Sequence, residues 1–272
     1  MIIDGRKLAE EIERETNDKL EKINQKKVAF VMFQNTPAIE QFVQMKMKVG
    51  TRFGIDCSIL KFEGEINNKN AIKFLEKILQ VGPKGFYDGV VVQLPLPKNL
   101  SLDLILNKIP ASLDIDVLGK EAIKNYLQAG PVNFVPPIAN AIDEILKFTK
   151  IDLLNKQVLI IGNGRLVGQV ASFYFSKNKI PFDMVTEKTE ENIYKEKLKN
   201  ADVIISGVGQ PHFIKKEMIK EGVIIIDAGT SEQGGKLAGD VHSDCIEVSS
   251  FIAPVPGGVG PLAVVSLFAN FV

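Results

Sequence analysis

At 272 residues the chain has room for one large or two ordinary domains, and 45% hydrophobic against 24% charged residues exclude a disordered or collagen-like polymer. Thirty-three basic and 33 acidic residues cancel, which argues against nucleic acid or a membrane surface as the main partner. Two cysteines and two histidines without metal-ligand spacing, no secretion signal and no bilayer-length apolar run lead us to expect a metal-free cytoplasmic protein.

In chain order, strands are predicted at 28–33, 58–62, 89–93, 157–162, 182–185, 203–208 and 223–228. Helical patterns fall at 7–23, 39–53, 71–80, 139–147, 167–178 and 215–220. The runs at 89–92 and 158–161 are apolar on both faces, as in parallel strands covered by helices on either side. Alternating strands and helices imply right-handed crossovers, and the fold class is α/β. Gly130-Pro131 and Pro136-Pro137 mark a boundary. The stretch 254–261, dense in proline and glycine, precedes a helical segment, 262–271, too short to stand alone and expected to return to the first lobe. Two lobes follow: residues 1–138 with 254–272, and residues 139–253. Ligands of α/β proteins gather at the carboxyl ends of strands and in crevices between domains, so the chemistry is expected there.

Several local patterns carry chemistry. Lys46 follows Phe42 by one helical turn, on the same face, where a lysine of lowered pKa serves as base or cation. Gln93 ends a buried strand before Leu94-Pro95-Leu96-Pro97, a tip of fixed polar groups and a place for a cis bond. Asp114 and Asp116 alternate, and are expected on one side of an extended segment, able to bind N–H groups of a heterocycle. The strand at 158–161 runs into Gly162-Asn163-Gly164-Arg165-Leu166-Val167-Gly168 and then a helix, the local geometry for pyrophosphate. Its spacing, G-x-G-x-x-x-G, is one residue longer than the common dinucleotide motif. After the next strand, Glu187 suits the ribose of NAD, whereas Lys188 and Arg165 suit the 2′-phosphate of NADP. Gly207, Val208 and Gly209 follow one strand and Thr230 another, both at ends where a dinucleotide would lie.

Together, Phe42 and Lys46, the segment 88–97, Asp114-Ile115-Asp116, Phe134-Val135-Pro136, the glycine turn, Gly239-Asp240-Val241 and the segment 254–261 form a distinctive series. The chain resembles, from end to end, the bifunctional methylenetetrahydrofolate dehydrogenase/methenyltetrahydrofolate cyclohydrolase family (FolD type). That resemblance implies a catalytic lobe and a Rossmann lobe, a homodimer, and tetrahydrofolate derivatives as partners. It implies oxidation of 5,10-methylenetetrahydrofolate with NADP, or NAD, then hydrolysis to 10-formyltetrahydrofolate, in one-carbon metabolism that feeds purine biosynthesis. Carried over by position, Lys46 is the catalytic lysine, Gln93 tunes it, and Asp116 grips the pterin. Phe42 stacks on the ring, and Pro256, Gly257, Gly258 and Val259 line the folate pocket near the nicotinamide. The dinucleotide falls to Gly162, Asn163, Gly164, Arg165, Leu166, Val167, Glu187, Lys188, Gly207, Val208, Gly209 and Thr230.

The chain departs from the family pattern in places. Phe42 stands where tyrosine is usual, Ile39 where serine is usual, and Leu113 and Val117 replace a lysine and a glycine around the two aspartates. Asn163-Gly164 replaces Arg-Ser, 186–189 replaces His-Ser-x-Thr, Ala263 replaces threonine, and 134–141 lacks the usual cysteine and threonine. These changes lead us to expect cyclohydrolysis impaired more than dehydrogenation, and a weakened preference for NADP. Alternatives are a monofunctional NAD-dependent dehydrogenase and a catalytically weakened folate- or nucleotide-binding homologue.

Overall fold

The structure is a computed structural model that describes residues 1–17, 26–80, 86–233 and 236–272. The first elements are α1 (Gly5–Asn17), β1 (Lys27–Met32), α2 (Pro37–Arg52), β2 (Asp56–Lys61), α3 (Asn68–Leu79), β3 (Gly89–Val92), α4 (Leu102–Leu106) and α5 (Lys120–Gln128). There follow α6 (Pro137–Thr149), β4 (Val158–Ile161), α7 (Gly168–Lys177), β5 (Asp183–Val185), α8 (Glu191–Asn200), β6 (Val203–Ser206) and β7 (Ile224–Asp227). The last are β8 (Ser231–Gln233), β9 (Lys236–Ala238), β10 (Phe251–Ala253) and α9 (Val259–Ala269). Two compact units result, one of Met1–Glu11 and Pro137–Ser266, the other of Ile12–Pro136 and Leu267–Val272.

The second unit holds a three-stranded parallel sheet in the order β2-β1-β3. Its central strand is apolar, and buried at every position but the first, because helices cover it. α2 starts where Thr36 Oγ1 accepts the Ile39 N–H at 3.3 Å and Pro37 takes a position that needs no donor. Beyond Phe53, Gly54 takes a φ of +68°, a conformation that ends the helix without a Cβ penalty. Phe33, Phe62 and Phe74 stack edge-on or tilted in the core beside Val31, Leu75 and Val92. The C-terminal segment is divided, since residues up to Ser266 fall in the first unit, and the part that belongs here includes Phe268, fully buried against Phe30 and Phe53. Asn270 adds a polar stitch, donating to the Ile115 and Val135 carbonyls and accepting the Val135 N–H at 2.9 Å.

The first unit holds a five-stranded parallel sheet ordered β10-β7-β6-β4-β5, with Ile2 bridged to Ile252 at one edge. β4, β6 and β7 are buried at every residue. From β4 the chain winds first to β5 on one side, then to β6 on the other. The crevice beyond the carboxyl ends of β4 and β6 is therefore the topological switch point of the sheet.

Some expectations are corrected. The segment 215–220 is not a helix but a single 3-10 turn at Lys216–Met218, flanked by extended Lys215 and Ile219. Ile214 and Ile219 are both buried, and the extended backbone lets each reach the core. The predicted helix at 7–23 is α1 over Gly5–Asn17, and residues 18–23 lie outside the described residues. Among the described residues no helix is long and apolar enough to cross a membrane.

Candidate active site

In the second unit, α2 and the end of β3 bring Lys46 and Gln93 together. Lys46 is only 8% exposed, and its Nζ donates to Gln93 Oε1 at 3.3 Å. Gln93 is itself buried, and its Nε2 donates to the Leu94 carbonyl at 2.6 Å, so the amide oxygen points at the lysine. Leu94-Pro95 is cis. Phe42, one turn before Lys46, sets its ring centroid 5.0 Å from Nζ, within the range of a cation–π contact. Burial pushes the Lys46 ammonium below the ordinary lysine value, and the negative charge of Asp116 opposes that shift. A lysine so placed exchanges a proton more readily than one in water.

Asp114 and Asp116 do not share a side of an extended segment; here the expectation is corrected. Residue 114 bridges to Val90 at the edge of the sheet, and the chain then turns. The Asp114 carboxylate is buried and its Oδ2 accepts the N–H groups of Leu118 at 3.0 Å and Gly119 at 2.7 Å. Burial, aided by the Asp116 charge and opposed by those N–H bonds, pushes its pKa up to about 6. Asp116 is partly exposed on the same turn. Val117 next to it has a φ of +55° while only 1% exposed. A β-branched residue in the left-handed region costs about 1–2 kcal/mol.

In the first unit, the glycine turn occupies the switch point. Gly162 has a φ of +92°, and a Cβ there would lie 2.8 Å from Val208 Cγ1. A Cβ on Gly168 would lie 2.0 Å from the Gly162 carbonyl oxygen, so α7 begins in contact with the turn. Gly207 packs on buried Val167, where a Cβ would come within 2.4 Å, and Gly209 faces the Thr230 carbonyl. Asn163, Gly164 and Leu166 are exposed and Arg165 is half-buried on this rim. The long spacing of the motif thus builds the same bend, a bare cradle with a helix N-terminus, which fits a pyrophosphate. Glu187 and Lys188 are exposed in a small turn in which Thr189 Oγ1 accepts the Thr186 N–H at 3.0 Å.

Two buried acids that the sequence did not single out by chemistry organise this rim. Asp240 is fully buried; its Oδ2 accepts from Ser206 Oγ at 2.7 Å and from the Val208 N–H at 2.8 Å, and its Oδ1 from the Gln210 N–H at 2.8 Å. Asp227, 1% exposed, accepts N–H groups of Gly229, Asp240 and Val241. Burial pushes the Asp227 pKa up to about 7, and the neighbouring Asp240 adds to it. Glycines 229 and 239 are needed there, since a Cβ on either would lie 2.1 Å from a carboxylate atom of Asp240 or Asp227. Only the Gly-Asp-Val resemblance hinted at this pair. Pro256, Gly257, Gly258 and Val259 fall in this first unit, where the Gly257 carbonyl accepts the Gly5 N–H at 2.8 Å. Among the described residues no group of three or more His, Cys, Asp or Glu side chains is arranged to hold a metal.

Comparison with known proteins also divides the chain near residue 136. The family model "Tetrahydrofolate dehydrogenase/cyclohydrolase, catalytic domain" matches residues 3–116, and "Tetrahydrofolate dehydrogenase/cyclohydrolase, NAD(P)-binding domain" matches residues 136–272. The "Bifunctional protein FolD" of Aquifex aeolicus (strain VF5) is 32% identical over 99% of this chain and 93% of its own length. That of Staphylococcus aureus (strain Newman) is 33% identical over 99% and 94%. The crystal structure of the bifunctional FolD methylenetetrahydrofolate dehydrogenase/cyclohydrolase from Campylobacter jejuni superimposes with a TM-score of 0.89 at 28% identity, covering 100% of this chain and 96% of that one.

Proposed function

The chain belongs to the tetrahydrofolate dehydrogenase/cyclohydrolase family, and from that premise we propose how its own residues divide the work. It is an enzyme of one-carbon folate metabolism: it oxidises 5,10-methylenetetrahydrofolate with NADP and hydrolyses the methenyl product to 10-formyltetrahydrofolate. The observation that carries the residue assignment is the buried Lys46, bonded to Gln93 and under the charge of Asp116.

Phe42 stacks on the pterin and Asp116 accepts its amino and ring N–H groups by charge-assisted bonds. Lys46 then lies beside the one-carbon bridge. Its lowered pKa lets Nζ take a proton from the attacking water and return it as the tetrahedral adduct collapses, while Gln93 Oε1 holds the ammonium form in place. Bound NADP supplies the hydride acceptor. Toward it the chain contributes positioning: Gly162, Gly164 and Gly168 clear space for the pyrophosphate, and Asn163, Arg165, Leu166, Val167, Gly207, Val208, Gly209 and Thr230 form the rim. Glu187 and Asn163 weaken the preference for a 2′-phosphate, and Arg165 and Lys188 retain part of it. The family resemblance supports a homodimer, and the free Cys57 and Cys245 suit a reducing cytoplasm.

The test is turnover of methylenetetrahydrofolate with each nucleotide, alongside hydrolysis of the methenyl substrate. We expect both activities, with a kcat/KM for NADP exceeding that for NAD by less than about 100-fold, roughly 2.7 kcal/mol. Folate binding without any turnover would instead support a non-catalytic homologue.

A further inference from the structure

We propose that Asp114 is a positioning residue for the folate site: by gathering the N–H groups that follow Val117, it holds an unfavourable turn that presents Asp116. This rests on the reading of Asp116 as the group that binds the pterin.

Of residues 114–119, only Asp116 is not buried. Each neighbour is tied inward. Residue 114 pairs with Val90 on the sheet edge, and Ile115 is fully buried with its carbonyl accepting from Asn270 Nδ2 at 3.0 Å. Val117 donates its N–H to the Asp114 carbonyl at 3.1 Å, and Gly119 packs so closely that a Cβ would lie 2.9 Å from the Leu106 carbonyl oxygen. Yet the backbone at Val117 is left-handed, which a β-branched residue resists. The local sequence therefore does not favour this turn, and an interaction from outside Val117 must hold it. The Asp114 carboxylate supplies that interaction, because one oxygen accepts both N–H groups immediately after the strained residue. Both N–H groups are buried and lose their acceptor if the carboxylate goes. The charge of Asp116 acts on Asp114 as well as on Lys46, so the outward acid is within electrostatic reach of both.

The experiment compares the full-length enzyme with D114A, D114N, D114A/V117G and D116A, reading KM for methylenetetrahydrofolate, KM for NADP and the thermal midpoint. D114A is expected to raise the folate KM about fivefold or more while the nucleotide KM stays within about twofold. D114N keeps a carbonyl oxygen for the two N–H groups, so its folate KM stays within about twofold of the parent. Glycine adopts the left-handed backbone unaided, so adding V117G to D114A brings the folate KM back toward the parent value. The same glycine removes a buried side chain and lowers the thermal midpoint further. Recovery of substrate affinity against falling stability is an outcome that a purely structural Asp114 does not produce. An unchanged folate KM in D114A, or a double variant no better than D114A, overturns the proposal. If D114A does not fold, V117G alone reads the same turn: a lower midpoint with an unchanged folate KM supports the proposal, and a raised KM overturns it. An unchanged folate KM in D116A overturns the reading of Asp116 itself and removes the ground beneath the proposal.

Discussion

Phe42 keeps an aromatic ring 5.0 Å from the Lys46 ammonium but brings no hydroxyl to it. Where the family has tyrosine, an O–H joins the lysine network; here Gln93 is the hydrogen-bond partner seen at Nζ. Hydride transfer is chiefly a matter of alignment, whereas cyclohydrolysis moves protons, so the missing hydroxyl weighs on the second step. Phe42→Tyr is expected to raise cyclohydrolase kcat/KM about tenfold, as a hydrogen bond to a charged group is worth about 1.5–3 kcal/mol, and dehydrogenase kcat/KM by less than about twofold. Equal changes in both, or none, would remove Phe42 as the cause of any imbalance. At this scale much was legible. Helical spacing put Phe42 and Lys46 on one face, and resemblance supplied Gln93 and Asp116. The inward turn of Asp114 was not legible, because alternation describes a strand, and a left-handed Val117 has no signature in composition.

The elements built from apolar runs were the easiest to read: all seven predicted strands exist, with ends shifted by a residue or two. Elements that are short or rich in polar residues were missed. α8 carries three lysines and four acidic or amide side chains in ten residues, and a charged side chain on it pairs with β5, Lys197 reaching Asp183 at 2.8 Å. β10 is three residues long and owes its place to pairing with β7, and the β8–β9 hairpin is equally short. The glycine turn shows what an element can demand of one position. In Gly168→Ala the new methyl must displace the Gly162 carbonyl oxygen, 2.0 Å away, so the start of α7 moves off the turn. We expect a loss of about 1–3 kcal/mol of stability and a nucleotide KM raised at least about tenfold. Hydrolysis of preformed methenyl substrate, assayed without nucleotide, should fall less than about twofold. A variant with parental nucleotide KM would show that the cradle is not where the pyrophosphate binds.

Buried acids give the molecule a pH dependence of unusual sign. Asp227 has its pKa raised to about 7 from an ordinary value of 3.8, so the folded protein favours the protonated acid more than the unfolded chain does. Its contribution to stability is thus fully present below about 3.8 and is lost as pH rises through about 7. Asp114, raised to about 6, follows the same direction in a lower window. The lowered Lys46 titrates in the opposite sense, so the clean measurement is the difference between the parent enzyme and Asp227→Asn, which cannot ionise. Chemical denaturation from pH 5 to 8 should show the parent losing ground to the variant as pH rises from 5 toward 7, by up to about 1.4 kcal/mol per pH unit, and the difference levelling off above pH 7. A difference that does not vary with pH would place Asp227 among ordinary ionised carboxylates.

The sequence by itself determined the α/β class with its parallel strands and the family, because each rests on periodicity or on contiguous motifs. Only the tertiary structure decided that Asp114 turns inward onto the Leu118 and Gly119 N–H groups, and that Asp240 reaches back 34 residues to Ser206 and 32 to Val208 to shape the nucleotide rim. The physical reason is range. A hydrophobic pattern is written in neighbouring residues, whereas a buried carboxylate takes its role from whichever backbone N–H groups folding delivers to it, and these come from distant parts of the chain.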